Sequence, residues 1–418
     1  MRIVKPYRGI LAAAALACCA GVLAQAEEWP WFMGPRGDGT STEKGLIRSW
    51  PAGGPKVLWR VSVGKGYGAA AIRDGEVFLM DRVGDRADAL RCFDLETGRE
   101  KWRFQYDAPG KLSHDGARTT PAVTDRFVFI IGPFGHFHCV DRKTHKAVWK
   151  KNLLADFGTK RPTWGVAQSP LLYNDMVIVA PQSKRIGLAA YDQATGKERW
   201  HSPPTGRMTY ATPKLITLEG EKQATFISQE GVVAVDAETG RELWRYKHPC
   251  RIPVPNVSEL GGGRLFVTGG YNAGSAFIDV SRRNGKWTVT EAAKIDKIGS
   301  HCHAGLVWQG HVYALCNTNE RRDGLVCFDR NGKLLWQTKR NPNLDKGGSI
   351  LTADGVIYIM DGRTGELYIM QPSPEKFIAL DKAKLLSGRE IWAPLALCDG
   401  RLVIRDHSQM KCVDLRAE

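Results

Sequence analysis

Side chains able to hold charge, move a proton or ligate a metal recur in this chain just ahead of short apolar runs. They are Lys65 and Tyr67; His114, Asp115, Arg118 and Thr119; Trp164 and Gln168; Arg207 and Tyr210; Arg251 and Asn256; His301 and His303; Lys346; and Trp392. Guanidinium forks bind carboxylates at two points, and the face of a Trp stacks on a flat ring or a sugar. Gathered in one place, these residues would line a cationic, aromatic funnel for a small anionic or carbohydrate-like ligand. The competing reading is that they satisfy one another and the exposed carbonyls around them.

His301-Cys302-His303 adds a metal reading. On a strand, residues i and i+2 face the same way, so the two imidazoles could share an ion if His114 or another distant side chain completed the set. A hydrogen-bonded histidine pair is the plainer alternative, and no metal is expected. Other chemistry finds no foothold. Gly261-Gly262-Gly263 lacks the Lys-Ser/Thr of a phosphate loop, and no C-x-x-C-H haem motif, paired C-x-x-C zinc spacing, H-E-x-x-H motif or Ser-His-Asp set is present. No catalytic residue is assigned.

Something must position residues so far apart in sequence, and a repeat does so. Asp192-Gln193-Ala194-Thr195-Gly196 leads to Trp200, with further copies at Asp94 to Trp102, Asp141 to Trp149 and Asp236 to Trp244. Looser copies run Asp279 to Trp287 and Asp329 to Trp336, and a bare Trp59 precedes them all. The series Trp59, Trp102, Trp149, Trp200, Trp244, Trp287, Trp336 has gaps of 43, 47, 51, 44, 43 and 49 residues, a period that signals a solenoid, propeller or array. The best copy reads as strand, Asx turn at Asp192, positive-φ Gly196 and strand, and the tryptophans read as structural contacts between units.

Each unit opens with a short strand, near Ala70, Pro121, Pro170, Pro213, Ser258, Ala304, Ile350 and Pro394. Period-2 runs such as Val128-Phe129-Ile130 follow, never reaching helical length. The last unit supplies three strands before the chain stops at Glu418, and the lone Trp59 strand is its missing fourth. The expected fold is all-β: an eight-bladed propeller of four-stranded blades, closed by the N-terminal strand, with seven blades the alternative should the Asp279 unit or the Trp-less unit after Gly348 fall short.

The composition is that of a globular protein, with 25% charged and 43% hydrophobic residues. A positive n-region (Arg2, Lys5, Arg8), an apolar run from Ile10 to Leu23 and Ala24-Gln25-Ala26 read as a signal peptide cleaved after Ala26, which implies export to the periplasm or cell envelope. Ala15-Leu16-Ala17-Cys18 is a poor lipobox, and the run is short for a membrane span. Residues 27–55, rich in Trp, Gly and Pro, read as an irregular arm, and 56–418 as one propeller domain. The net charge of +15 is scattered singly, so nucleic acid is not an expected partner. Cys92, Cys139, Cys327 and Cys412 each stand two residues before a repeat Asp, as small buried side chains, while Cys302 and Cys316 form the expected disulfide.

The Asp-x-x-Thr-Gly-Lys-x-x-Trp stretch at Asp192 to Trp200 resembles the tryptophan-docking motif of the pyrroloquinoline-quinone (PQQ) repeat, over about residues 56 to 418. The family includes quinoprotein alcohol dehydrogenases, which hold PQQ between a tryptophan and a disulfide of adjacent cysteines beside a calcium. Here the only adjacent pair is Cys18-Cys19 in the leader. The family also includes the propeller lipoprotein of the outer-membrane β-barrel assembly machinery, and exported proteins whose N-terminal arm is similar to Trp29 to Gly39. The resemblance implies a monomeric, exported, non-catalytic binding or scaffold protein with an envelope protein or small ligand on its channel face. Its alternative implication is a PQQ- and calcium-dependent oxidoreductase, with Trp164 or Trp392 stacking on the quinone and Arg118, Arg207 or Arg251 on its carboxylates.

Overall fold

The computed structural model describes Met1 and residues 27–207 and 209–417. The expected signal peptide lies outside the described residues. All regular elements are strands, arranged as eight four-stranded antiparallel sheets. Blade 1 consists of Ala71–Arg73, Glu76–Val83, Ala87–Asp94 and Glu100–Asp107, hydrogen-bonded in that order. The innermost strands of blades 2 to 8 are Ala122–Val123, Leu171–Tyr173, Lys214–Leu218, Ser258–Glu259, Leu306–Trp308, Ser349–Leu351 and Ala396–Cys398. They neighbour one another around a central axis. Blade 8 is completed by Val57–Ser62, which pairs antiparallel with Gln409–Asp414, so the ring has no open edge at the chain ends.

Burial follows strand position. Second strands such as Phe127–Ile131 are buried throughout, because a blade covers them on either side. The outermost strand Glu100–Asp107 alternates instead. Its Trp102, Phe104 and Tyr106 pack on Val123, Val128, Ile130 and Val140 of the next blade, while Lys101, Arg103 and Gln105 face solvent.

The positions of the cysteines follow from cross-strand volume. The residue opposite each repeat tryptophan is small: Cys92 opposite Trp102, Cys139 opposite Trp149, Ala190 opposite Trp200, Ala234 opposite Trp244, Cys327 opposite Trp336, and Cys412 opposite Trp59. In all six pairs a register shift follows at once, twisting the outer strand as a β-bulge does.

Two expectations need correction. Trp287 is out of phase: it pairs with Arg282 near the tip of the long hairpin Gly274–Arg283 and Lys286–Ile295. The equivalent pair in that blade is Phe277 opposite Ala293, the same two volumes exchanged between strands. A Cβ on Gly332 of the next blade would lie 2.6 Å from Ala293, so this smaller residue takes the contact a tryptophan makes elsewhere. The Cys302–Cys316 disulfide is absent. Both thiols are free, since Cys316 is buried within the strand His311–Asn317 whereas Cys302 sits in the loop ahead of that blade.

The arm is not a mere surface covering. Trp29 exchanges two backbone hydrogen bonds with Ile72, the Val123 N–H donates to Pro30, and Leu351 donates to Gly39. It thus ties to innermost strands of blades 1, 2 and 7. Trp29 is 1% exposed, and Phe32 reaches the axis itself.

Candidate functional site

Each loop that runs from one blade's outer strand to the next blade's inner strand ends at the same mouth of the channel, and a cavity of about 250 Å3 opens there. Of the residues marked out in the sequence, His114, Arg118, Trp164, Tyr210, His301, His303 and Trp392 line it. So does Tyr67, also marked out there, and Tyr271, Asn319 and Phe32 join them.

The three tyrosines are held through their hydroxyls. The Tyr67 hydroxyl donates to Glu390 at 3.0 Å, and its ring lies 5.6 Å from Trp392 and 4.8 Å from His407. Tyr210 accepts the Trp164 N–H at 3.3 Å, with the rings 5.2 Å apart. Asn319 donates to the Tyr271 hydroxyl, and the Tyr271 ring meets His301 edge-on at 4.9 Å. Rings held in this way offer a preorganised apolar surface.

Cations stand beside them. The Arg118 guanidinium sits 5.4 Å from the Tyr67 ring centroid and donates to the carbonyls of Gly116 and His114. Burial lowers its pKa to about 10. Its acidic neighbour Asp115 is engaged by Lys65 at 3.4 Å. Arg251 stacks on Tyr271 at 5.5 Å from the exposed rim. Burial also pushes both His301 and His303 down to about 4, so they are neutral at pH 7.

The remaining candidates are placed elsewhere. Lys346 is buried 5.3 Å from the Trp392 ring centroid and 3.3 Å from Asp345. Gln168 holds both peptide groups of Ala180 at 2.6 Å, a purely internal bridge. Asn256 spans Thr212 and Thr225 and lines a second chamber of about 400 Å3 beneath Phe32. Arg207 is exposed and does not line the cavity. His301 and His303 lie in a loop, not on a strand, and among the described residues no three His, Cys, Asp or Glu side chains converge to hold a metal.

Sequence reasoning missed Tyr271 and Asn319 because they sit on turns within blades 5 and 6 rather than ahead of an inner strand. The signal was the Gly269-Gly270-Tyr271-Asn272 turn, where Tyr271 and Asn272 both take positive φ. Phe32 was invisible because nothing in an aperiodic arm says where it docks.

A quinone with calcium is the group this fold implies. Glu390, behind the cavity wall, is engaged by the Tyr67 hydroxyl, and among the described residues no three His, Cys, Asp or Glu side chains converge as calcium would need. These side chains do not make a calcium site.

Comparison with known proteins agrees with the architecture. A curated quinohemoprotein alcohol dehydrogenase from Comamonas testosteroni is 28% identical over 171 residues, covering 38% of this chain and 23% of its own. The outer membrane protein assembly factor BamB of Burkholderia pseudomallei (strain K96243) is 23% identical over 286 residues, 64% of each chain. The chain therefore spans less than two-thirds of the length of either relative. The crystal structure of BamB from Moraxella catarrhalis superposes with a TM-score of 0.59 at 16% identity, over 87% of this chain and 98% of that one, a likeness of fold. The family model described as outer membrane protein assembly factor BamB matches residues 86–321, more than half of the sequence, and the chain belongs to that family of PQQ-repeat propellers.

Proposed function

We propose that this protein is an exported cell-envelope binding or scaffold protein that receives a partner protein or ligand at the upper mouth of its channel, without chemistry of its own. One observation carries the reading: a cavity of about 250 Å3 is walled by aromatic rings from separate blades, and its three tyrosines are held through their hydroxyls. Such a surface binds by shape and stacking, and it needs no titrating acid or base. Similarity to a family named for outer-membrane protein assembly supports a partner in the envelope, and the leader-like first residues support export.

Photo-crosslinking in intact cells tests this. A photoreactive residue at exposed His114 or Asn319 should give a discrete adduct, and one at Val148 on an outer strand should not. Equal adducts at all three positions, or none at the mouth, would refute the assignment of the mouth. The PQQ-dependent alternative is tested separately: micromolar PQQ with calcium should leave tryptophan fluorescence unchanged and give no dye-linked alcohol oxidation.

A further inference from the structure

The two polar ends of the upper cavity face each other across the ring. Arg118 precedes the innermost strand of blade 2, and His301 and His303 precede that of blade 6, four blades away in a ring of eight. Aromatic walls come from between them: Tyr67 ahead of blade 1, Trp164 ahead of blade 3, Trp392 ahead of blade 8.

Each end lacks something. Arg118 uses two of its five N–H groups on carbonyls and forms no ion pair with a carboxylate among the described residues. The side chain is partly buried, and its remaining N–H groups are open to an anion. His303 is 6% exposed, and its Nε2 lies 3.0 Å from the Trp392 carbonyl. A carbonyl only accepts, so the neutral ring carries its proton on Nε2 and Nδ1 is a bare lone pair. That Nδ1 has no partner, nor has the Nδ1 of His301. Ligand hydroxyls both donate and accept, so they suit either ring tautomer, whereas a plain aromatic carboxylate only accepts.

We propose that the upper cavity binds an acidic saccharide, a pyranose bearing a carboxylate or sulfate. Its C–H face packs on the aromatic walls, its acid group lies on Arg118, and its hydroxyls hydrogen-bond His301 and His303. This rests on reading the cavity as a binding site and names the ligand class.

The test is calorimetry and tryptophan fluorescence on the mature chain. The probes are trigalacturonate, its methyl ester, glucuronate and mannuronate trimers, a sulfated galactan oligosaccharide and an acidic peptide. At least one acidic sugar should bind with Kd below about 10 mM, and Arg118→Gln should weaken it about tenfold or more. The methyl ester of trigalacturonate should bind weakly and be indifferent to Arg118→Gln. His303→Phe should lower affinity for acidic and neutral rings alike. Arg118→Gln and His303→Phe proteins that melt as the parent does exclude misfolding, and a ligand-induced fluorescence change lost in Trp164→Ala reports the site if either variant unfolds. Carboxylate and sulfate arms distinguish the two acid groups. Peptide binding abolished by Trp164→Ala, without sugar binding, would overturn the saccharide but keep the mouth as a binding site. No sugar bound at 10 mM, or equal affinity for ester and acid, would overturn the saccharide outright.

Discussion

Trp59 sits so close to Gly98 that a Cβ on the glycine would fall 2.6 Å from the indole ring, and the same indole donates its Nε1–H to the Leu95 carbonyl at 2.7 Å. Trp149 against Gly196 and Trp200 against Gly240 repeat the contact between successive blades. Each glycine is also at positive φ, +69° for Gly98. Gly98→Ala therefore meets both strain and a clash and should cost about 2–4 kcal/mol. Gly285→Ala, at φ +75° with open space around it, should cost only about 1–2 kcal/mol. Thermal melts of the two variants check the difference, and equal losses would mean the indole contact contributes nothing.

Ring closure depends on a single strand from the far end of the chain. Val57–Ser62 covers the edge of Gln409–Asp414, and Trp59 is 7% exposed. Deleting residues 56–63 should uncover that edge, cost more than about 4 kcal/mol and promote association. Light scattering and melting temperature read the outcome; a truncated chain that stays monomeric and melts unchanged would refute closure as a source of stability.

Much of the fold was legible because it is periodic. A tryptophan opposite a small residue recurs often enough to count blades, and period-2 apolar runs set the strands. Phe277 and Ala293 escaped because exchanging the two volumes preserves the packing while erasing the sequence mark. At the mouth, the position of a residue ahead of an inner strand predicted proximity to the axis but not direction. Arg118 and Trp164 point into the cavity, whereas Gln168 turns back to the Ala180 peptide groups because that buried backbone needs partners. The supposed Cys302–Cys316 bridge failed because facing strands were assumed where one partner is in a loop.

The free thiols make a chemical prediction. Cys92, Cys139, Cys316, Cys327 and Cys412 are fully buried, and burial raises their pKa values, that of Cys412 to about 12. Thiolate is the reactive form, so labelling of the native protein by a thiol reagent should be slow, with Cys302, partly exposed although its pKa too is pushed up to about 12, the first to react. Unfolding in denaturant should release all eight described cysteines without a reductant, and dithiothreitol should leave the melting temperature unchanged. A drop in melting temperature on reduction would reveal a disulfide.

Acid should weaken the fold through its buried imidazoles. His138, His301 and His303 are at most 7% exposed, and burial lowers each pKa to about 4, against about 6.5 in an unfolded chain. Between those values the unfolded chain binds more protons than the folded one, so stability rises with pH there. The contribution is complete above pH about 6.5, is lost as pH falls toward 4, and amounts to on the order of 3 kcal/mol per histidine. His138 packs 4.3 Å from the Tyr106 ring and 5.4 Å from Phe104, away from the mouth, so His138→Phe keeps an aromatic side chain there and removes one titration. Urea unfolding of the parent and of His138→Phe between pH 4 and 8 should show a shallower acid-side slope in the variant. Identical slopes would mean that folding does not lower the His138 pKa.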